Sequence, residues 1–350
     1  MAVLILVIGT TGTWIGSGEP FEPLQLDPGP WPIFHEMEFI DMTSGAMVSV
    51  DIYYPGYDRW LDKFARDDAT PFEVIIFSPG AGAEASAYED YLNYWASWGF
   101  VVAGVTWEYE YDREEDVAYL DHGKVLDLLD QKSAEGDWRD PFNGVPDTSR
   151  VGTVGHSRGG RTAFMATSQE SRILCASAWM PTLNNSDEVS EGAALQLFGG
   201  DTDDIAPPDE WTDPLYESID SNIVYIEVFG GDHSTDRELH PVMAFNLFLY
   251  HLKGDRSVES GLQGDRLMGQ AEAGEFRLRM KMGGDEYDSH PELSESPKGA
   301  PTSDPSNGSQ IGLGLVLIFI GIAFLVYLIK KRPRWAFKSR KNGSDPDEDR

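Results

Sequence analysis

The chain has 350 residues, 41 % of them apolar, which is enough for one large domain with appendages or two small domains. Its formal net charge of −32 gives a solvated acidic surface that repels phosphate backbones and excludes nucleic acid as a partner. The single cysteine, Cys175, can form no internal disulfide and lies in an apolar run that reads as a buried strand.

Residues 1–18 begin MAVLILVIG, and Ala2 to Ile8 is an unbroken apolar stretch followed by small residues. This reads as a short signal-peptide core, although no basic residue precedes it; a buried first strand is the alternative. Residues 19–35 are rich in Pro, Glu and Gly and read as an entry loop. FIDMTSGAMVSVDIYYP predicts a hairpin: Val48, Val50, Ile52 and Tyr54 alternate with smaller or polar residues, and Ser44-Gly45 supplies the turn.

From residue 70 the rhythm changes. Short apolar runs at 74–78, 100–106, 150–155, 173–179, 193–197 and 222–229 predict buried strands. Helix-like segments at 86–98, 113–132, 158–169, 208–219 and 235–252 separate them. This alternation implies an α/β domain over residues 19–253, a mainly parallel sheet with helices on both faces and the antiparallel hairpin at one edge. Such sheets place functional loops at the C-terminal ends of their strands.

Residues 254–310 lose the buried-strand pattern and become rich in Gly, Ser, Pro, Asp and Glu, predicting a polar linker that is a flexible stalk from Gly283 to Gln310. Within it, FRLRMKM (276–282) reads as an exposed strand or part of a small accessory helix. Residues 311–329, IGLGLVLIFIGIAFLVYLI, carry no charge. As a helix they span roughly 28 Å, the thickness of a bilayer core, and predict one C-terminal transmembrane helix. Lys330, Lys331, Arg332, Arg334, Lys338, Arg340 and Lys341 follow closely, whereas Lys298 is the only basic residue in the twenty before the run. The basic flank predicts a single-pass anchor with the tail, 330–350, in the cytoplasm and the large domain outside.

The strongest chemical signal is Gly155-His156-Ser157-Arg158-Gly159-Gly160, a G-x-S-x-G motif between a strand and a helix. There a serine sits on a tight turn with its hydroxyl above the sheet, and small residues let strand and helix approach; Ser157 is the candidate nucleophile, and His156 reads as packing at the turn. A serine hydroxyl needs a base oriented by an acid. Beyond the strand 193–197 lies Asp201-Thr202-Asp203-Asp204, and beyond the strand 222–229 lies Asp232-His233-Ser234. Of the seven histidines only His233 follows the last strand and precedes the closing helix; His240 and His251, within that helix, read as surface or packing residues. His233 is the candidate base and Asp203 the candidate acid among three aspartates. One acidic loop offers too few ligands for a metal site. The acyl oxyanion requires two backbone N–H donors, expected from Arg158 after the nucleophile and from Ala81 in the loop Ser78-Pro79-Gly80-Ala81-Gly82.

These stretches resemble a known family. FSPGAG, the helix ending in WASWGFVVAGVTW, and GHSRGG are similar to the dienelactone-hydrolase-like branch of the α/β-hydrolase fold, which includes chlorophyllases, plasma-type platelet-activating-factor acetylhydrolases and cutinase-like polyester hydrolases. GHSRGGRTAF is especially similar to the chlorophyllase elbow. DTDDIAP resembles the cutinase-like acid loop, whose matching aspartate is Asp203, and GGDHS the base loop. The resemblance covers about residues 36–252. It implies ester hydrolysis through an acyl-enzyme on a small-molecule ester, with no metal or organic cofactor. It also implies that Trp179 lines the acyl pocket. Ala81 departs from the cutinase-like pattern, which has an aromatic residue there. Trp107, opening the loop WEYEYDREED after a strand end, is a second candidate for substrate contact. An amidase or peptidase with the same triad, and a non-catalytic envelope protein on the same fold, are the rival readings. The oligomeric state has no signature in the sequence.

Overall fold

A computed structural model describes residues 26–56, 71–108, 117–136, 140, 142–183, 189–190, 192–220, 222–234, 239–272, 274 and 276–291. The hairpin is strands β1 (Ile33–Asp41) and β2 (Met47–Pro55). Then come β3 (Phe72–Ser78), α1 (Glu89–Ser97), β4 (Val101–Val105), α2 (His122–Glu135), β5 (Pro146–His156), α3 (Arg158–Gln169) and β6 (Ile173–Trp179). They are followed by β7 (Ala194–Gly200), α4 (Thr212–Ser218), β8 (Ile223–Val228) and α5 (Leu239–His251).

The domain does not end at residue 253, and the linker expected from residue 254 does not begin there. Short helices α6 (Glu259–Leu262) and α7 (Asp265–Glu272) lead into β9 (Phe276–Met282), which pairs antiparallel with β8, and β10 (Asp285–Asp288) completes the edge. One sheet thus runs in the order β1-β2-β4-β3-β5-β6-β7-β8-β9-β10. Strands β3 to β8 are parallel to their neighbours within that span.

Alternation within each strand divides the core between the two faces. Ile75 and Phe77 of β3 pack with Leu92, Trp95 and Ala96 of α1 and with Phe245 and Phe248 of α5. Val74 and Ile76 face the other way, toward Val125, Leu126 and Leu129 of α2. A third cluster packs Phe164 and Met165 of α3 with Leu195 and Leu197 of β7 and Leu215 of α4. Burying one such side chain contributes roughly 1.5–3 kcal/mol before the entropy of ordering it is subtracted.

Phe276, Leu278 and Met280 of β9 enter the core. The alternate residues Arg277 and Arg279 are buried too. Arg277 donates two bonds to Asp288, at 3.1 and 2.7 Å. Arg279 donates to Asp213 at 3.0 Å and also pairs with Glu217, its guanidinium 4.1 Å above the Tyr216 ring. Charged residues at every second position read as a solvated strand. Here acidic residues brought by α4 and β10 neutralise them inside the fold. Among the described residues no helix is long and apolar enough to cross a membrane. The segments expected to act as signal peptide (1–18), stalk end, transmembrane helix (311–329) and tail lie outside the described residues.

Candidate active site

Strand β5 ends at His156 and α3 begins at Arg158, so Ser157 alone makes the turn. Its backbone is held at φ 56°, ψ −123°, a region that ordinary residues avoid. The flanking glycines are steric necessities. A Cβ on Gly159 would lie 2.0 Å from the carbonyl oxygen of Ser78, and one on Gly155 would lie 2.3 Å from that of Gly159. Ser157 N–H donates to the Trp179 carbonyl at 2.8 Å, and the Ser157 carbonyl accepts from Arg161 N–H at 3.1 Å. The loop after β3 runs directly against this turn: a Cβ on Gly80 would lie 3.5 Å from the Ser157 Cβ. Ala81 is the next residue of that loop, and Arg158 opens α3 on the other side of the serine.

The acid and base loops follow adjacent strands, β7 and β8. His233 Nδ1 and Asp203 Oδ2 are 2.8 Å apart, with the Asp203 side chain fully buried and His233 nearly so. The other oxygen of Asp203 accepts from the backbone N–H groups of Ile205 and Ala206, at 2.9 and 2.8 Å. A carboxylate only accepts, so the proton of His233 resides on Nδ1 and Nε2 presents a lone pair, the form a general base needs. Asp201 and Asp204 are exposed. Asp201 accepts from Gly230 N–H at 2.6 Å, and Thr202 donates to the Gly231 carbonyl through both its N–H (3.0 Å) and hydroxyl (2.8 Å), stapling the two loops together. Among the described residues no group of three His, Cys, Asp or Glu side chains stands in metal-holding geometry.

His156 does more than pack. Its Nε2 lies 2.8 Å from the carbonyl oxygen of His233 and its Nδ1 lies 2.9 Å from the Tyr88 hydroxyl. A carbonyl cannot donate, so Nε2 carries the proton and Nδ1 accepts from the tyrosine. The residue before Ser157 is thus bonded to the backbone of the residue read as its base. A cavity opens beside them, lined in part by Tyr88, Tyr91, His156, Trp179 and Ser234. Trp179 is on this wall, its indole N–H donating to Ser177 Oγ at 3.0 Å. Its motif position marks it in the sequence, whereas nothing there marks Tyr88, which reaches the site from the turn before α1.

Trp107 packs into the core on the α2 face. The Trp107 N–H bonds back to the Val105 carbonyl at 3.0 Å in a three-residue turn, which swings the side chain inward. The residue is 4 % exposed, stacks its ring on His122 with centroids 5.3 Å apart, and donates its indole N–H to Ser78 Oγ at 2.8 Å. Trp107 packs in the cluster on the α2 face, whereas Trp179 belongs to the opposite one. Through its bond to Ser78, Trp107 is tied to the end of β3, where the loop 78–82 begins. Residues 109–116 of the same loop lie outside the described residues.

A family model described as PETase, PET hydrolase-like, matches residues 46–250. The chain belongs to the PET hydrolase-like family. Residues 46–250 take in β2 to β8, hence the serine turn, the acid loop and the base loop, while β9 and β10 lie beyond them. The PET hydrolase-like chain is 26 % identical over 218 residues to Cutinase 1 of Thermobifida cellulosilytica, covering 60 % of this chain and 74 % of that protein. It is 26 % identical over 218 residues to the cutinase of Thermobifida fusca (strain YX), covering 60 % and 64 %. With Cutinase est1 of Thermobifida alba it shares 27 % identity over 184 residues, 52 % and 56 % of the two chains. It is an α/β-hydrolase and a serine hydrolase of carboxylic ester bonds.

Proposed function

We propose that this PET hydrolase-like chain cleaves small apolar or lipid-like carboxylic esters through an acyl-enzyme, with Ser157 as nucleophile, His233 as base and Asp203 as the acid that orients it. The observation that carries the reading is the buried Asp203–His233 bond of 2.8 Å, which fixes the basic form of the imidazole, together with a serine held on a strained turn. Ser157 Oγ attacks the ester carbonyl as His233 Nε2 takes its proton. The N–H groups of Ala81 and Arg158 receive the oxyanion, each worth on the order of 100-fold in turnover. The imidazolium then returns the proton to the departing alcohol, and water repeats the sequence on the acyl-serine. Trp179 forms part of the acyl wall. Three relatives are named cutinases; with Ala81 in place of an aromatic residue, the reading stays with the ester bond rather than with a polymer. The reading further holds the domain at a membrane through residues 311–329, with the catalytic domain outside and the tail inside. The uncharged run, its basic flank and the signal-like residues 1–18 support this.

The full chain in detergent is expected to hydrolyse 4-nitrophenyl butyrate, and Ser157→Ala to lose at least about 1,000-fold in rate. Equal rates in the two proteins overturn the assignment. Release of the chain from membranes by alkaline carbonate overturns the anchor.

A further inference from the structure

We infer that Thr106 and Trp107, the two residues that follow β4, are positioning residues for the reaction: they hold the loop after β3 at both of its ends and so fix the N–H of Ala81 where the oxyanion forms. The inference rests on the ester-hydrolase reading of the same site, in which that N–H is an oxyanion donor. At the near end of the loop the indole N–H of Trp107 donates to Ser78 Oγ at 2.8 Å. At the far end the N–H of Ala85 donates to Thr106 Oγ1 at 3.0 Å. Between these anchors the Ala83 N–H donates to the Gly80 carbonyl at 3.0 Å, closing a β-turn with Ala81 and Gly82 at its centre. Gly82 stands at φ 76°, which such a turn demands of its third residue. The turn bond takes the N–H of Ala83, not that of Ala81. The Ala81 side chain packs against the α2-face cluster that contains Trp107.

The mount for these anchors is stiff. β4 lies between β2 and β3 in the sheet, and every one of its residues is buried. Thr106 N–H donates to the Ser49 carbonyl of β2 at 3.1 Å, and the Trp107 ring is seated on the buried ring of His122. The loop itself brings little stiffness, since glycine backbone has the most freedom to lose on ordering. On its other side the loop meets the nucleophile. Ser78 pairs with Gly155, its carbonyl leaves no room for a Cβ on Gly159, and Gly80 lies against Ser157. An oxyanion donor acts only at hydrogen-bond distance from the developing charge, and a misplacement of about 1 Å costs on the order of 100-fold. Two bonds from consecutive residues of one strand end are the arrangement that prevents such a drift. Because the effect arises only as the oxyanion forms, it falls on kcat rather than on KM.

The test uses the full chain in detergent, with 4-nitrophenyl butyrate as substrate and an alkyl trifluoromethyl ketone as inhibitor, whose adduct with a serine hydroxyl carries an oxyanion. Thr106→Val removes the acceptor at nearly constant shape, Trp107→Phe removes the N–H, and Thr106→Ser keeps the hydroxyl. Thr106→Val and Trp107→Phe are each expected to lower kcat by about tenfold or more with KM within about twofold of wild type, and to weaken the ketone by the same factor as kcat/KM. Thr106→Ser should stay within about threefold of wild type. The double variant should lose little more than the worse single one, because one freed end already releases the donor. Folded variants that keep wild-type kcat and ketone affinity overturn the inference, even where melting is lowered. So does a Thr106→Ser chain as slow as Thr106→Val, or a double loss equal to the product of the single ones. Should either variant not fold, Ser78→Ala, which severs the Trp107 bond by the loss of one oxygen, decides with the same expected loss. Hydrolysis that persists in Ser157→Ala would instead overturn the ester-hydrolase reading of the site.

Discussion

Replacing Asp203 by Asn changes almost no volume, yet the bonding pattern makes it a severe perturbation. One oxygen of Asp203 is claimed by the N–H groups of Ile205 and Ala206, so in Asp203→Asn the amide oxygen must take that place. The NH2 then faces His233 Nδ1, which becomes an acceptor, and the imidazole proton moves to Nε2. The base is left in the form that cannot take a proton from Ser157, which in a comparable triad costs about 10,000-fold, or ~5.4 kcal/mol. The amide can escape only by flipping, which leaves two buried backbone donors against an NH2 at about 1–3 kcal/mol each. The smaller total, about 2 kcal/mol, sets a floor of roughly 30-fold. The expected loss in kcat for 4-nitrophenyl butyrate thus lies between about 30-fold and 10,000-fold. Melting should shift little, because both backbone bonds to the side chain persist. Raising the pH should not restore the rate, since the defect is one of tautomer rather than of charge. A folded Asp203→Asn protein within threefold of wild type would refute this account of the base.

Three further outcomes follow from the geometry. Gly159→Ala forces a Cβ against the backbone of Ser78 and Pro79, a contact that no side-chain adjustment relieves. Soluble folded yield, read by size-exclusion chromatography and circular dichroism, should collapse, and a normal yield would contradict the close-approach argument. His156→Ala should lower kcat more than it raises KM by releasing the His233 loop, with His156→Gln recovering more activity than Ala because its amide can still donate to the carbonyl and accept from Tyr88; equal rates for the two variants would refute the bridge. A chain ending at residue 253 should aggregate, while one ending at 291 stays soluble, because the first uncovers the β8 edge and strips Asp213 and Glu217 of Arg279. Light scattering on both truncations decides it.

The serine turn is legible in the sequence because its causes are local. Glycines at 155 and 159 are demanded by close contacts at the turn, and an apolar strand precedes them. The places of Asp203 and His233 are legible because each follows a strand of buried apolar residues. Strand β9 is not, since Arg277 and Arg279 look solvated until Asp213, Glu217 and Asp288 are brought to them by α4 and β10. The direction of Trp107 depends on a turn bond across Thr106, invisible in an aromatic-rich loop. His240 lies between residues with no distinguishing spacing. Only the packing of α5 against Trp179 and Phe198 turns it from a helical histidine into a cavity wall.

The stapling of the acid loop to the base loop has a practical corollary. Asp203 and His233 arrive from one contiguous stretch, β7 through the end of β8, whereas the serine comes from β5 on the other side of β6. Deleting the hydroxyl therefore leaves the rest of the machinery standing. The Ser157→Ala chain would be a bait: incubated with extracts of its own habitat, it should retain intact whatever molecule the active protein consumes, ready to be eluted and weighed by mass spectrometry.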